Sequence, residues 1–244
     1  MKTNSPAPTS RSGPPKPRRA ANALLVVAKR PAAGQTKTRL SPPLSPEQAA
    51  ALYECFLRDT LDLVRQTPDV QPVIAYLPAA AEAYFAGLAP DFECLLQEGP
   101  DLGARLDHAL TRYLALGYER VAIMNSDGPT LPVACLVTAF DALRDGADVA
   151  LGPADDGGYY LIGLKRPAPR LLRDVAMSTP HVAADTLALA AAAGLTVTIL
   201  PTWYDVDDSA SLARLEAELA AAPPNVAPHT RALLDAWANQ QMSK

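Results

Sequence analysis

The sequence predicts an α/β domain with a central, mostly parallel sheet and helices on both faces. Two observations carry this. Strand-like and helix-like patterns alternate along most of the chain, and the first strand, residues 24–28, is apolar at every position, as expected for a strand buried on both faces. Of the 244 residues 49% are apolar, which is ample for one buried core.

The elements follow in order. Ser45 is a good N-cap for a long helix opened by Pro46 and Glu47, with Ala50, Leu52, Tyr53, Phe56, Leu57, Leu61 and Val64 at helical spacing. Val70–Leu77 reads as a strand, 79–87 as a short helix stopped by Gly87, and 92–96 as a strand. A helix over 102–116 is stopped by Gly117, and a strand over 121–124 leads to a helix at 132–143 with Pro132 in its first turn. Residues 149–151 and Tyr159–Leu164 form two strands around a Gly-rich turn. An alanine-rich helix over 179–193, a last strand over 197–200 and a helix over Ser209–Ala221 complete the domain.

The two ends read differently. Residues 1–20 hold five of the 24 prolines and five cations (Lys2, Arg11, Lys16, Arg18, Arg19) without an acid. Such a segment buries too little to order itself, so a disordered tail is expected. Residues 222–229 read as a second loose stretch before a short helix at 230–239. The chain therefore divides into a tail (1–20), a domain (21–222) and a C-terminal extension (223–244).

Composition narrows the function. The formal net charge is −4, and outside the tail 17 basic residues face 26 acidic ones. A body that acidic is no general nucleic-acid binder; phosphate must be held locally or through a metal ion. Cys55, Cys94 and Cys135 are scattered, odd in number and without a CxxC pair, which points to a reducing cytoplasm and away from zinc. His108, His181 and His229 make no HExxH site. No apolar run reaches about 18 residues, so no membrane span is expected. Arg18-Arg19 followed by AANALLVVA resembles a short secretory signal, but Lys29-Arg30 interrupts the run and a small-residue cleavage pattern is lacking. The segment reads as a buried strand behind a basic tail, and the location as cytoplasmic.

In doubly wound sheets ligands bind beyond the carboxyl ends of the strands. Four segments lie there. The first strand runs into AKRPAAGQTKTRL, where Lys29, Arg30, Lys37 and Arg39 surround Gly34. Such a loop places N–H groups and cations around phosphates, or is simply a solvated basic loop. It is neither a Walker A loop, which would need glycine at Pro31 and Thr36, nor GxGxxG. The fourth strand runs into NSDGPTL, putting Asp127 on a sharp turn as a ligand for a hard cation or as an ordinary turn aspartate. Asp156, Gly157 and Gly158 make a hairpin turn and also allow close approach of a ligand, with Tyr159 or Tyr160 placed to stack on a ring. Asp205, Asp207 and Asp208 follow the last strand, where one acid is explained as an N-cap and three are not. Together, a cationic loop facing separated aspartates is what a metal–nucleotide site needs.

These motifs, with DLGARL (101–106), Ser178-Thr179 and WYDVDD, resemble in this order the radical-SAM/selenodomain-associated transferase family. The resemblance covers about residues 22–216. It implies a nucleotide-diphospho-sugar transferase, glycosyltransferase-A-like fold, and the family is similar to nucleotidyltransferases such as phospholactate guanylyltransferase and the molybdenum cofactor nucleotidyltransferases. It implies that Lys37 and Arg39, exposed before ligand binds, contact donor phosphates, with Lys29, Gly34 and Thr38 beside them. Asp127 would ligate Mg²⁺ or Mn²⁺ with Asp205 or Asp207. Asp156, Gly157, Gly158, Tyr159, Ser178 and Thr179 would face the acceptor, and Asp127, Asp156 and Arg39 would carry catalysis. Asn125 and Gly128 depart from the family's usual small glycine and serine beside that aspartate.

The expectation is a metal-dependent transferase using a nucleotide-sugar donor and a small-molecule acceptor. The alternative is a nucleotidyltransferase that joins an NTP to a phosphorylated small molecule and releases pyrophosphate. A nucleotide-binding module without turnover is the third reading, and acids kept at two separate positions argue against it.

Overall fold

The computed structural model describes residues 20–242; the tail at 1–19 lies outside them. Seven strands form one sheet in the order β3-β2-β1-β4-β6-β5-β7. They are β1 (Asn22–Lys29), β2 (Val70–Leu77), β3 (Glu93–Leu96), β4 (Arg120–Met124), β5 (Val149–Pro153), β6 (Tyr159–Leu164) and β7 (Val197–Ile199). β6 runs antiparallel to both its neighbours, β4 and β5, while every other pairing is parallel. The carboxyl ends of the other six strands therefore open on one edge, together with the β5–β6 turn.

The helices are α1 (Pro46–Arg65), α2 (Glu82–Leu88), α3 (Leu102–Ala115), α4 (Val133–Arg144), α5 (Arg170–Arg173), α6 (Val182–Ala192), α7 (Ser209–Ala221) and α8 (Pro228–Met242). Alternation along β1 explains the two faces. Leu24, Val26 and Ala28 join a core with Leu57 and Leu61 of α1, Phe85 of α2 and Leu136 of α4. Ala23 and Leu25 join the opposite core with Leu110 of α3, Leu172 of α5 and Ala190 of α6. Ser45 caps α1 as its sequence requires, in a reciprocal pair with Gln48. None of the described helices is long and apolar enough to cross a membrane.

Three sequence expectations shift. The helix expected over 79–87 begins as a 3-10 turn, Ala79–Ala81, and becomes α2 only at Glu82. The helix expected from residue 179 starts at Val182, because Pro180 is pressed against Gly157 and the Ala183 N–H donates to the Gly157 carbonyl (3.0 Å). The C-terminal stretch is not loose up to 229. α8 begins at Pro228 and is anchored by Asp59 of α1, which accepts from the backbone N–H groups of His229 and Thr230 (both 2.9 Å) and from the Thr230 hydroxyl (2.6 Å). A side chain 170 residues away in sequence supplies the cap that this helix's own sequence lacks. Leu233, Leu234 and Trp237 then pack on the third core, with Leu52 and Phe56 of α1 and Leu215 of α7.

Candidate active site

A cleft of about 840 Å³ runs along the edge where the six strands end. Of the residues singled out in the sequence, Lys29, Lys37, Thr38, Arg39, Asp127, Asp156, Gly158, Tyr159, Ser178, Thr179, Asp205 and Asp207 line it. Gly34 and Gly157 do not. Gly34 sits in a left-handed turn (φ 69°) with open space around it. Gly157 (φ 90°) is a packing glycine, since a Cβ there would lie 2.0 Å from the Pro180 carbonyl oxygen.

The basic loop closes on itself before it reaches the cleft. The Thr36 N–H and hydroxyl both donate to the Ala32 carbonyl (3.2 and 3.1 Å), and Lys37 then takes a left-handed backbone (φ 49°). This turns its side chain inward, opposite to the expectation of an exposed cation. The Lys37 side chain is 6% exposed and lies over the rings of Tyr53 and Phe56. Its ammonium bridges Asp127 and Asp207, the latter at 2.7 Å. Burial alone would push that ammonium down, but the two carboxylates outweigh it and hold it above the ordinary lysine range. Arg39 does stay exposed, 70% open, with a long 3.5 Å contact to Asp208.

Two close backbone approaches bring the aspartates together. The Val206 N–H donates to the Asp127 carbonyl (2.9 Å), so the segment after β7 runs beside the turn after β4. Gly128 permits it, because a Cβ there would lie 2.9 Å from the Tyr204 carbonyl oxygen. Asn125 works across the same junction, where its amide donates to both oxygens of Asp205 (3.0 and 2.9 Å). Even so, burial first and the Asp127 charge second push Asp205 up to about 7, Asp207 adding to the shift while Asn125 and Lys37 oppose it. Asp208 proves to be the N-cap of α7.

Tyr53, read in the sequence as a core residue of α1, also builds the site. The Ser126 hydroxyl donates to the Val27 carbonyl (3.1 Å), which leaves the Tyr53 hydroxyl to donate to Ser126 (3.0 Å) while it accepts from the Lys29 N–H (3.2 Å). One ring thus ties the ends of β1 and β4 together beneath Lys37. On the other flank, Asp156 is exposed and accepts from the Gly158 N–H (2.8 Å), and the Tyr159 hydroxyl faces Met177. Burial raises the Tyr159 phenol above its usual range.

Three carboxylates from two segments gather around a single ammonium, and burial and repulsion raise one of them; carboxylate oxygens are the ligand type a hard divalent cation takes. Among the described residues no three or more His, Cys, Asp or Glu side chains are arranged as a metal cage, and Lys37 bridges two of the acids.

Fold and cleft together are those of the nucleotide-diphospho-sugar transferase class. The chain is 33% identical to a protein of Desulfovibrio desulfuricans G20 described as a putative nucleotide-diphospho-sugar transferase, with a TM-score of 0.83 over 91% of this chain and 98% of that one. The chain belongs to that transferase's family. The model of the DUF2064 family, described as uncharacterized protein conserved in bacteria, matches residues 60–179. The chain is also 34% identical over 139 residues to 2-phospho-L-lactate guanylyltransferase of Methanothermobacter thermautotrophicus, covering 56% of this chain and 59% of that protein's length. A CMP:2-keto-3-deoxy-manno-octonic acid synthetase solved with CTP shares the fold, at TM-score 0.54 and 13% identity over 82% of this chain and 98% of the synthetase. The names of these relatives carry the transferase part of the resemblance and not its radical-SAM part.

Proposed function

We propose that the protein is a nucleotidyltransferase that takes an NTP, GTP first, and a phosphorylated small molecule, and releases pyrophosphate. This replaces sugar transfer as the leading reading. The observation that carries it is the identity to a guanylyltransferase, 34% over 139 residues. In this reading an oxygen of the acceptor's phosphate attacks the α-phosphorus of the NTP. The bond from that phosphorus to the β-phosphate oxygen breaks, and both electrons leave with pyrophosphate. Asp127, with Asp205 or Asp207, would hold Mg²⁺ or Mn²⁺, which when bound offsets charge on the phosphates. Lys29 and Arg39 at the rim offer further positive charge to the phosphates, and Lys37 does so once it is released from its two carboxylates. Tyr159, Ser178 and Thr179 form the flank left for the acceptor, with Asp156 and Gly158 at the turn.

The test incubates the full chain with each NTP, Mg²⁺ and 2-phospho-L-lactate as the probe acceptor, and follows pyrophosphate. Release that needs both substrates supports the reading. Consumption of a nucleotide sugar with release of a nucleoside diphosphate, and none of an NTP, would return the protein to sugar transfer.

A further inference from the structure

The half of the cleft away from the carboxylates has a different character. Val27, Leu77, Leu102 and Leu106 make an apolar wall, broken by two polar side chains, Gln97 and Arg105. Gly103 sets how α3 meets this wall. A Cβ there would lie 2.1 Å from the Leu172 carbonyl oxygen, so that side of the helix is pressed onto backbone. Leu102, Arg105 and Leu106 then share the face that lines the cleft, at spacing i, i+3 and i+4. The Arg105 Nε is buried without a hydrogen-bond partner, and among the described residues no carboxylate pairs with this side chain. Gln97 is buried as well. Its backbone N–H donates to the Tyr76 carbonyl (3.1 Å) and its amide nitrogen to the Ala75 carbonyl (2.7 Å). That fixes the amide plane and leaves the side-chain carbonyl as an acceptor.

An apolar wall with one fixed acceptor and one unpaired guanidinium suits a flat ring with a polar edge better than it suits a phosphate. β2 lies two strand spacings from β4, about 10 Å, comparable to the reach from base to phosphate in a nucleotide. We propose that Gln97 and Arg105 read the donor's base, and that this base is guanine. The fork of Arg105 meets two adjacent acceptors, O6 and N7, and the Gln97 carbonyl accepts from N1–H. Adenine and uracil present no two adjacent acceptors. Cytosine does, with a single ring against the wall where guanine has two. This assignment rests on the nucleotidyltransferase reading above and adds the residues that select the donor. It also gives the DLGARL segment, whose Asp101 caps α3 by accepting from the Ala104 N–H, a role in selecting the donor.

Calorimetric titration of the full chain with GTP, ATP, CTP, UTP and inorganic triphosphate, in Mg²⁺, tests it. The wild type should bind GTP about 5- to 150-fold more tightly than ATP, the range of one bidentate base contact. Arg105→Met should remove most of that preference and leave inorganic triphosphate binding unchanged. Arg105→Lys should behave like Arg105→Met, because a point charge lacks the fork. Gln97→Leu should weaken GTP in the same way; where it fails to fold the Arg105 pair decides. The inference is overturned if the GTP preference survives both Arg105 variants, if triphosphate affinity falls together with GTP affinity, or if CTP binds best. If the wild type binds no NTP but binds a nucleotide sugar, the nucleotidyltransferase reading itself has failed and the base assignment goes with it; no variant is needed to see that outcome.

Discussion

Lys37 shows how one side chain changes the reading of a site. Its sequence context, between Thr36 and Thr38 in a basic loop, gives no sign that its backbone turns left-handed and sends the ammonium onto Asp127 and Asp207. A cation expected in solvent is a buried counter-ion. Lys37→Met should therefore destabilise the protein by about 1–3 kcal/mol, below the usual cost of breaking a buried pair because both carboxylates are partly open to water. Mg²⁺ should raise the variant's melting temperature more than it raises the wild type's, as the ion supplies the missing charge. Arg39→Ala, at an exposed pair, should cost under about 0.5 kcal/mol. Denaturant melts of both variants, with and without Mg²⁺, check this contrast. Asp205 makes a second prediction. Its carboxyl is pushed up to about 7 in the fold, above its unfolded value. The native state thus holds a proton that the unfolded chain gives up, so this contribution to stability is complete below about pH 4 and is lost as the pH rises through about 7. In metal-free buffer the wild type should lose melting temperature across that window relative to Asp205→Asn. A parallel fall in both proteins would remove Asp205 as the cause.

At the scale of elements, the helices and strands were legible wherever local chemistry ends them. β2, β6 and α7 fall on the residues read from the sequence, bounded by turn residues, prolines and the Asp208 cap. What the sequence could not show is support from a distance. α8 has no cap of its own making, and Asp59, on the far side of the fold in sequence, was hidden as one acid in a helix. Asp59→Ala should cost about 1–3 kcal/mol, the penalty for buried donors left unpaired. Hydrogen exchange should show α8 opening while α1 stays protected; unchanged protection over 230–238 would contradict the anchoring role. The two turn glycines offer another contrast. Gly34→Ala meets only its left-handed backbone, a cost of about 1–2 kcal/mol. Gly157→Ala meets that and the Pro180 carbonyl, so it should cost more and also displace the 178–180 loop. Equal melting temperatures for the two would remove the packing role of Gly157.

For the whole molecule, the edge logic of the parallel sheet was enough to gather the carboxylates. Asp127 and Asp205 are 78 positions apart, yet each follows a strand whose carboxyl end opens on the same side. The reversal of β6 was legible as the hairpin turn at Asp156, Gly157 and Gly158, which lies at that same edge; its insertion between β4 and β5 was not, because an apolar strand does not say which neighbour it pairs with. Tyr53, Gln97 and Arg105 were missed because their patterns fit a helix face or a strand end equally well. Their roles come from partners contributed by other elements. The central claim is that this edge transfers a nucleotidyl group, and the fate of a labelled phosphate tests it most directly. With NTP labelled at the α-position, Mg²⁺ and 2-phospho-L-lactate, the label should appear in the acceptor product, and γ-label should appear only in pyrophosphate. Asp127→Asn, still folded by melting, should yield neither. γ-Label in the acceptor product, or label left in unreacted NTP while a nucleotide sugar is consumed, would contradict it.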